Sequence, residues 1–587
     1  MRQFLKYVLA TIVGLGLFAF LAIFVLIGVG AASSKSEPAK VKDKSVLRLS
    51  FNDAIAEKGQ DNPFAKFGGG DDRLSLDKVC KAIAKAQDDD HIKGILIDAR
   101  YVRTGMGSAE EIRNALLAFK KGGKFIYAYG DVMTEGAYYM ASVAKPIYIA
   151  PEGGIEFNGL GTNIAFLKGM FSKLEIQPEI FRVGQYKSAV EPFILDKMSD
   201  ANREQTTSFL NSIYGHMVKQ VAASRGLSEQ ALRIVSDSFQ ARTAEDAVKY
   251  KLADEVAYFD QVEDKIRKTA GIDADDKIHY VSLGEYAKSV KIKDNDKGGD
   301  RIAMLVAEGN ITTGKSDDGI GSDDLAPLLR KVRMDDDIKA VVLSVNSPGG
   351  DALASDIIWR EVELLKAKKP VVVSMGDLAA SGGYYISMGA NKIYAEPTTI
   401  TGSIGVFGMF FNSQQFFNNK TGITFDGVKT GKFSDWPNAT RPFTSYERTV
   451  MQKSVDQIYG TFTTKAAQGR KMDVEKLRSL ASGRVWSGLE AKANGLVDEI
   501  GSVDDAIKAA AKLAKLKDGD YRLERMPKEK DFFENIMSEF DNSKDDEEAR
   551  LLVKLLGPEQ AKMVQQYAQV RQLTGIQARL PWDVDFK

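Results

Sequence analysis

The hydrophobic pattern opens with an unbroken run. From Val8 to Ala32 no residue is charged and most are apolar. At about 1.5 Å per residue, a helix of this length crosses a hydrocarbon core of about 30 Å. A cleaved export signal has an apolar stretch of only about 7–15 residues. Residues 8–32 are therefore expected to be an uncleaved transmembrane anchor in contact with the lipid bilayer. The small residues Ala31-Ala32-Ser33 keep cleavage open as the alternative. Arg2 and Lys6, in the tail 1–7, suit a cytoplasmic N-terminus, although Lys35, Lys40, Lys42 and Lys44 follow the run. Residues 33–44 read as a polar linker.

After the linker the pattern alternates. AVVLSVN (340–346) and VVVSM (371–375) are short β-branched runs, as buried parallel strands require. Between them, SDIIWREVELLKAKK (355–369) carries apolar residues at helical spacing. Such alternation predicts an α/β fold with parallel sheets and right-handed crossovers. Near the end, the stretch 547–573 is amphipathic, and residues 516–587 are expected to form a helical appendage.

The pattern also repeats. GDVMTEGAYYMASVAKPIYIAP (130–151) and GDLAASGGYYISMGANKIYAEP (376–397) are identical at nine of 22 positions without a gap, at an offset of 246. Upstream, HIKGILIDA (91–99) lies against DIKAVVLSV (337–345). Downstream, NSIYGHMVKQVAASRG (211–226) lies against DQIYGTFTTKAAQGRK (456–471), at an offset of 245. The chain thus reads as a duplicated unit, roughly 45–295 and 300–515, joined by the charged linker Lys291 to Asp300.

Composition narrows the chemistry. The 80 basic residues balance the 80 acidic ones, so no charge excess points to nucleic acid. Cys80 is the only cysteine, which excludes an intramolecular disulfide and a cysteine metal cluster. His91, His216 and His279 are the only histidines and show no metal-ligand spacing. No metal and no cofactor is expected. All three histidines precede residue 300, so the second unit has none of its own.

Two glycine-bearing turns follow the two strands of that unit: SVNSPGGDA (344–352) and GDLAASGGYYIS (376–387). In a parallel sheet, loops at the carboxyl ends of strands face the ligand crevice. Gly349 and Gly350 accept positive φ and expose N–H groups. Ser381 is expected to start a helix, with the Gly382 N–H free. The N–H groups of Gly350 and Gly382 would then cradle the oxyanion of an attacked carbonyl, one such donor being worth about 3 kcal/mol in the barrier.

SVNSPGG, AASGGYY and TITGSIGVFG (399–408) resemble the motifs of the signal peptide peptidase A family, within the wider Clp protease/crotonase fold group. The resemblance covers nearly the whole chain. It implies two tandem Clp protease/crotonase-like repeats behind one transmembrane helix. The implied activity is that of a serine peptidase acting on signal peptides and other apolar peptides, as a ring-like homo-oligomer described as a tetramer. The body would lie on the periplasmic side of a bacterial inner membrane. The family nucleophile falls on Ser381, and its oxyanion loops fall on Gly349-Gly350 and Gly382. A serine needs a base, and without a nearby histidine a lysine of lowered pKa is the natural choice. FRVGQYKSAVEPF (181–193) resembles the family's general-base segment and assigns that role to Lys187. Ser403 resembles the serine that orients the lysine.

In the repeat alignment Ser381 faces Glu135, so the first unit has lost the nucleophile. Lys187 faces Phe433 at one offset and Lys432 at the other, which leaves Lys432 or nearby Lys429 as rival bases. Glu191 is read as structural or substrate-facing. Whether Ser381 and Lys187 meet within or between chains stays open. Two other classes share parts of the pattern: a crotonase-like acyl-CoA enzyme and a non-catalytic membrane scaffold. Neither gives Ser381 a purpose.

Overall fold

The computed structural model describes residues 41–51, 55–57, 59, 74–290, 299–316, 319–517, 519–527 and 575–579, with positions 6, 7, 14, 15 and 18 near the N-terminus. The expected anchor 8–32 and the amphipathic stretch 547–573 fall almost wholly outside these residues. Among the described residues no helix is long and apolar enough to cross a membrane.

Each unit builds a parallel sheet from its β-branched runs. In the first, the strands run in the spatial order Glu255–Val256, Ile147–Ile155, Phe125–Met133, Ile92–Val102, Ser45–Phe51 and Tyr280–Ser282. In the second, Ile400–Gly402, Val371–Ala380, Ile338–Ser347, Arg301–Glu308 and Arg522–Met526 follow the same plan. Lys392–Ala395 and Glu499–Ile500 extend it, and the antiparallel Val485–Ser487 closes one edge. Arg522–Met526 pairs with the first strand of its unit as Tyr280–Ser282 does in the other. A strand from beyond residue 515 thus joins the second unit's sheet. Within the region expected to be helical, the described segments Arg522–Met526 and Gly575–Arg579 are strands.

The duplication extends to individual hydrogen bonds. Tyr138 donates to the Leu252 carbonyl and Tyr384 to that of Leu496, each at 3.0 Å. Arg225 pairs with Asp254 and Arg470 with Asp498, and each aspartate also accepts an N–H from the start of a strand, that of Ile147 or Ile393. A third, mixed sheet locks the units together. In it Gln177–Val183 of the first unit runs antiparallel to Val406–Asn412 of the second over seven paired residues. The first unit's core extends to Ala380, Ile400 and Val485 of the second.

The contact between the units also buries carboxyls. Ser108 donates its N–H and Oγ to Asp377, both at 2.8 Å, and Glu57, Glu111 and Glu396 lie close by. Burial first, then mutual repulsion, pushes Glu57, Glu111 and Glu396 well above the usual carboxyl range. A raised folded pKa stabilises the fold below the unfolded value, and that contribution is lost as pH rises towards the folded value. Glu111→Gln should therefore raise the melting temperature by a few degrees at pH 8 and change it little near pH 4, as calorimetry at the two pH values will show.

Candidate active site

The strands Ile338–Ser347 and Val371–Ala380 are neighbours, so the turns at their carboxyl ends face each other. Ser381 sits between its strand and the helix Gly382–Ser387 at φ 57° and ψ −110°, outside the regions an L-residue favours. Such strain costs about 1–3 kcal/mol and persists only where surroundings impose it. Here the Ser381 N–H donates to the Gly402 carbonyl at 2.8 Å, and the Ser381 carbonyl accepts from Tyr385 at 2.8 Å.

The glycine turn divides its labour. The Gly349 N–H donates to Ser347 Oγ at 3.1 Å, and Ser347 Oγ donates to the Gly309 carbonyl at 2.6 Å. Gly349 is thus a turn residue at φ 98° rather than an anion donor. That narrows the expected oxyanion set to Gly350 and Gly382. The two glycines lie close together, since a Cβ on Gly382 would lie 3.0 Å from the Gly350 nitrogen and 2.7 Å from Ser355 Oγ. As the first residue of its helix, Gly382 has no carbonyl one turn back to bond.

Lys187 comes from the other unit, four residues beyond the strand that joins them. It is fully buried. Its Nζ lies 2.9 Å from Ser381 Oγ, 3.1 Å from Ser403 Oγ and 3.2 Å from the Ser403 carbonyl. These three contacts match the one lone pair and two N–H groups of a neutral amine. Burial alone pushes its pKa well below the ordinary lysine value. Ser403, like Ser381, holds positive φ, at 49°.

The cradle for Lys187 comes from residues that sequence reasoning missed. The Tyr186 N–H donates to the Ser482 carbonyl at 3.0 Å. Gly483, at φ 80°, lies so close that a Cβ would stand 2.7 Å from the Cα of Lys187, and one on Gly405 would stand 3.2 Å from its Cδ. Gln205, from the long helix Asp200–Arg225, donates to the Tyr186 carbonyl and to Ser188 Oγ and accepts from the Val485 N–H. In the sequence, Ser482-Gly483 is indistinguishable from an ordinary helix end.

The rivals are elsewhere. Lys429 pairs with Asp435 at 2.6 Å, and Lys432 lies over the Phe433 ring; both are exposed. Glu191 is structural: it accepts from Ser199 Oγ and from Asn202 Nδ2, at 2.6 and 2.9 Å. Glu135, at the position equivalent to Ser381, accepts the N–H groups of Gly159 and Asn158, and burial pushes its pKa up to about 7.

A strained serine beside a buried lysine and two neighbouring glycine amides is an arrangement suited to a serine hydrolase. The sequence profile of Peptidase family S49 matches residues 118–273 and 363–517, and that of Clp protease matches 293–400. The chain belongs to family S49 and is a serine peptidase. It is 37% identical to Protease 4 of Salmonella typhi over 522 residues, which is 86% of this chain and 84% of that one. It is 36% identical to Protease 4 of Haemophilus influenzae, over 75% and 73% of the two chains. It is 33% identical to the chloroplastic serine protease SPPA of Arabidopsis thaliana, over 81% and 70%.

A lysine kept neutral by burial destabilises the fold increasingly as pH falls below the unfolded lysine pKa, because the unfolded state then binds the extra proton. Lys187→Met should accordingly raise the melting temperature, and by more at pH 6 than at pH 9. An equal shift at both values would contradict the buried neutral amine.

Proposed function

We propose that this chain is a membrane-anchored endopeptidase with a Ser381–Lys187 dyad that degrades signal peptides and other apolar peptides. The observation that carries the reading is the 2.9 Å contact between a fully buried Lys187 Nζ and Ser381 Oγ. The Ser381 hydroxyl gives its proton to the amine lone pair as Oγ attacks a peptide carbonyl. Ser403 accepts both amine N–H groups and so aims the lone pair at Ser381. The N–H groups of Gly350 and Gly382 bind the oxyanion. Lys187 then hands the proton to the leaving amine, and water, deprotonated by the same amine, releases the acyl group.

The substrate class rests on the motif resemblance and on the apolar run 8–32. That run would hold the body beside the bilayer, on the periplasmic side of an inner membrane, where apolar peptides accumulate. Assembly is supported by the second unit's counterpart of the Lys187 segment. There Ile423, Phe425, Val428 and Phe433 are exposed, whereas in the first unit the equivalent segment docks on its neighbour. A ring, of four chains by the resemblance, would cover this face by seating it on the first unit of the next chain. Val428→Asp should then shift the particle to smaller mass in light scattering.

For the dyad, hydrolysis of an apolar fluorogenic peptide should fall at least about 10³-fold in Lys187→Ala and in Ser381→Ala, with Lys432→Ala unaffected. In the wild type kcat/KM should rise with pH through one ionisation well below the ordinary lysine value. A Lys187→Ala protein of full activity would overturn the assignment.

A further inference from the structure

The long helix Asp200–Arg225 turns a polar stripe towards the second unit. Gln205, Ser208 and Ser212 recur at helical spacing, and each bonds across the boundary, to the Val485 N–H, to Glu490 and to Ser487. Of the three, Gln205 also bonds the segment that carries Lys187. Its Nε2 donates to the Tyr186 carbonyl and to Ser188 Oγ, both at 2.9 Å, while its Oε1 accepts from the Val485 N–H at 3.1 Å. The orientation of the amide is forced, because a carbonyl takes only a donor and a main-chain N–H only an acceptor. Gln205 is fully buried, and a buried amide costs free energy unless its groups are bonded. The far end of this bridge leads to the reacting atoms. Val485 pairs with Gly402, whose carbonyl accepts from the Ser381 N–H. The neighbouring Arg484 carbonyl accepts from the Ser403 N–H at 2.7 Å.

One amide thus ties the residues on both sides of Lys187 to the strand that anchors Ser381 and Ser403. The repeat shows that this is not a demand of the fold. At the offset of 245, Gln205 faces Val450, a half-buried residue of the helix Ser445–Gly469. We infer that Gln205 is a positioning residue for the hydrolysis: it clamps the Lys187 segment against Val485–Ser487 and so keeps water from the amine. The inference rests on the Ser381–Lys187 reading above and adds what holds its base in place. An apolar residue of the same size would leave the Tyr186 carbonyl and the Val485 N–H unpaired, and both would draw water to the edge of the lysine's enclosure. The charged groups around the segment are engaged with one another. Arg182 faces Glu191 at 3.8 Å, and Arg484 pairs with Glu204 at 2.9 Å, where the Tyr186 hydroxyl also donates. Burial alone weakens the hold of Lys187 on a proton, so admitted water strengthens it and leaves less neutral amine at a given pH.

The test compares Gln205→Met, which keeps the volume, and the smaller Gln205→Ala with Ser212→Ala, which breaks a bond to the same strand away from Lys187. Melting temperature verifies folding, and hydrolysis of the fluorogenic peptide is followed from about pH 6 to about pH 10. Both Gln205 variants should move the rise of kcat/KM up by about one pH unit. On the acid side that is a loss of about 10-fold, which alkali restores, with KM little changed. Ser212→Ala should leave the rise where it is. A loss equal at every pH, or the same shift in Ser212→Ala, would overturn the inference. A second readout needs no hydrolysis. In the Gln205→Met background, the extra gain in melting temperature that Lys187→Met brings at pH 6 over pH 9 should shrink; an undiminished gain would equally overturn it. Full activity in Lys187→Ala would instead remove the reading on which the inference stands.

Discussion

An ammonium ion in a dry protein interior is so unfavourable that the group gives up its proton instead, and the proposed dyad depends on keeping Lys187 in that condition. No carboxylate acts on its pKa; desolvation is the only influence. The amine is instead surrounded by hydroxyls, carbonyls and glycine backbone. Gly405 and Gly483 let the second unit close over the lysine to van der Waals contact. Larger residues would hold the units apart, admit water and restore the charge. The seven-residue ladder between Gln177–Val183 and Val406–Asn412 supplies the rigidity that this closeness needs.

Duplication followed by divergence explains why the dryness lies at a boundary. Both units keep the tyrosine and arginine–aspartate bonds that hold the fold. On the proposed assignment each keeps only half of the chemistry. At Glu135 a carboxyl fills the place of the nucleophile and is tied down by two backbone amides. At Lys432 and Phe433 the counterpart of the lysine segment is out in solvent. Neither unit can neutralise a lysine alone, because the burial that does so comes from its neighbour.

Much of this was legible from local pattern. The β-branched runs gave the strands Ile338–Ser347 and Val371–Ala380, and the two glycine turns singled out Ser381, Gly350 and Gly382, which the fold brings close together at the ends of those strands. The repeat offset exposed the loss of the serine at Glu135. The base was harder. Spacing alone left Lys187, Lys429 and Lys432 open, since what separates them is burial by residues nearly 300 positions away, and periodicity carries no trace of that. Gly483, Gln205 and Ser347 were missed for the same reason. The Gly349 N–H was expected at the oxyanion, but Ser347 Oγ takes it. The strand Arg522–Met526, beside Arg301–Glu308, was not foreseen, because so short an edge strand has no alternation to announce it.

The 194 residues that separate Lys187 from Ser381 along the chain also order events in time. Translation proceeds at about 5–20 residues per second, so the lysine leaves the ribosome about 10–40 s before the serine does. Through that interval the nascent chain holds the proposed base without the proposed nucleophile. Even after Ser381 emerges, nothing dries the amine until Ala481 to Arg484 arrive and fold against it. On the proposed dyad, hydrolytic power is withheld from the growing polypeptide until most of both halves exist.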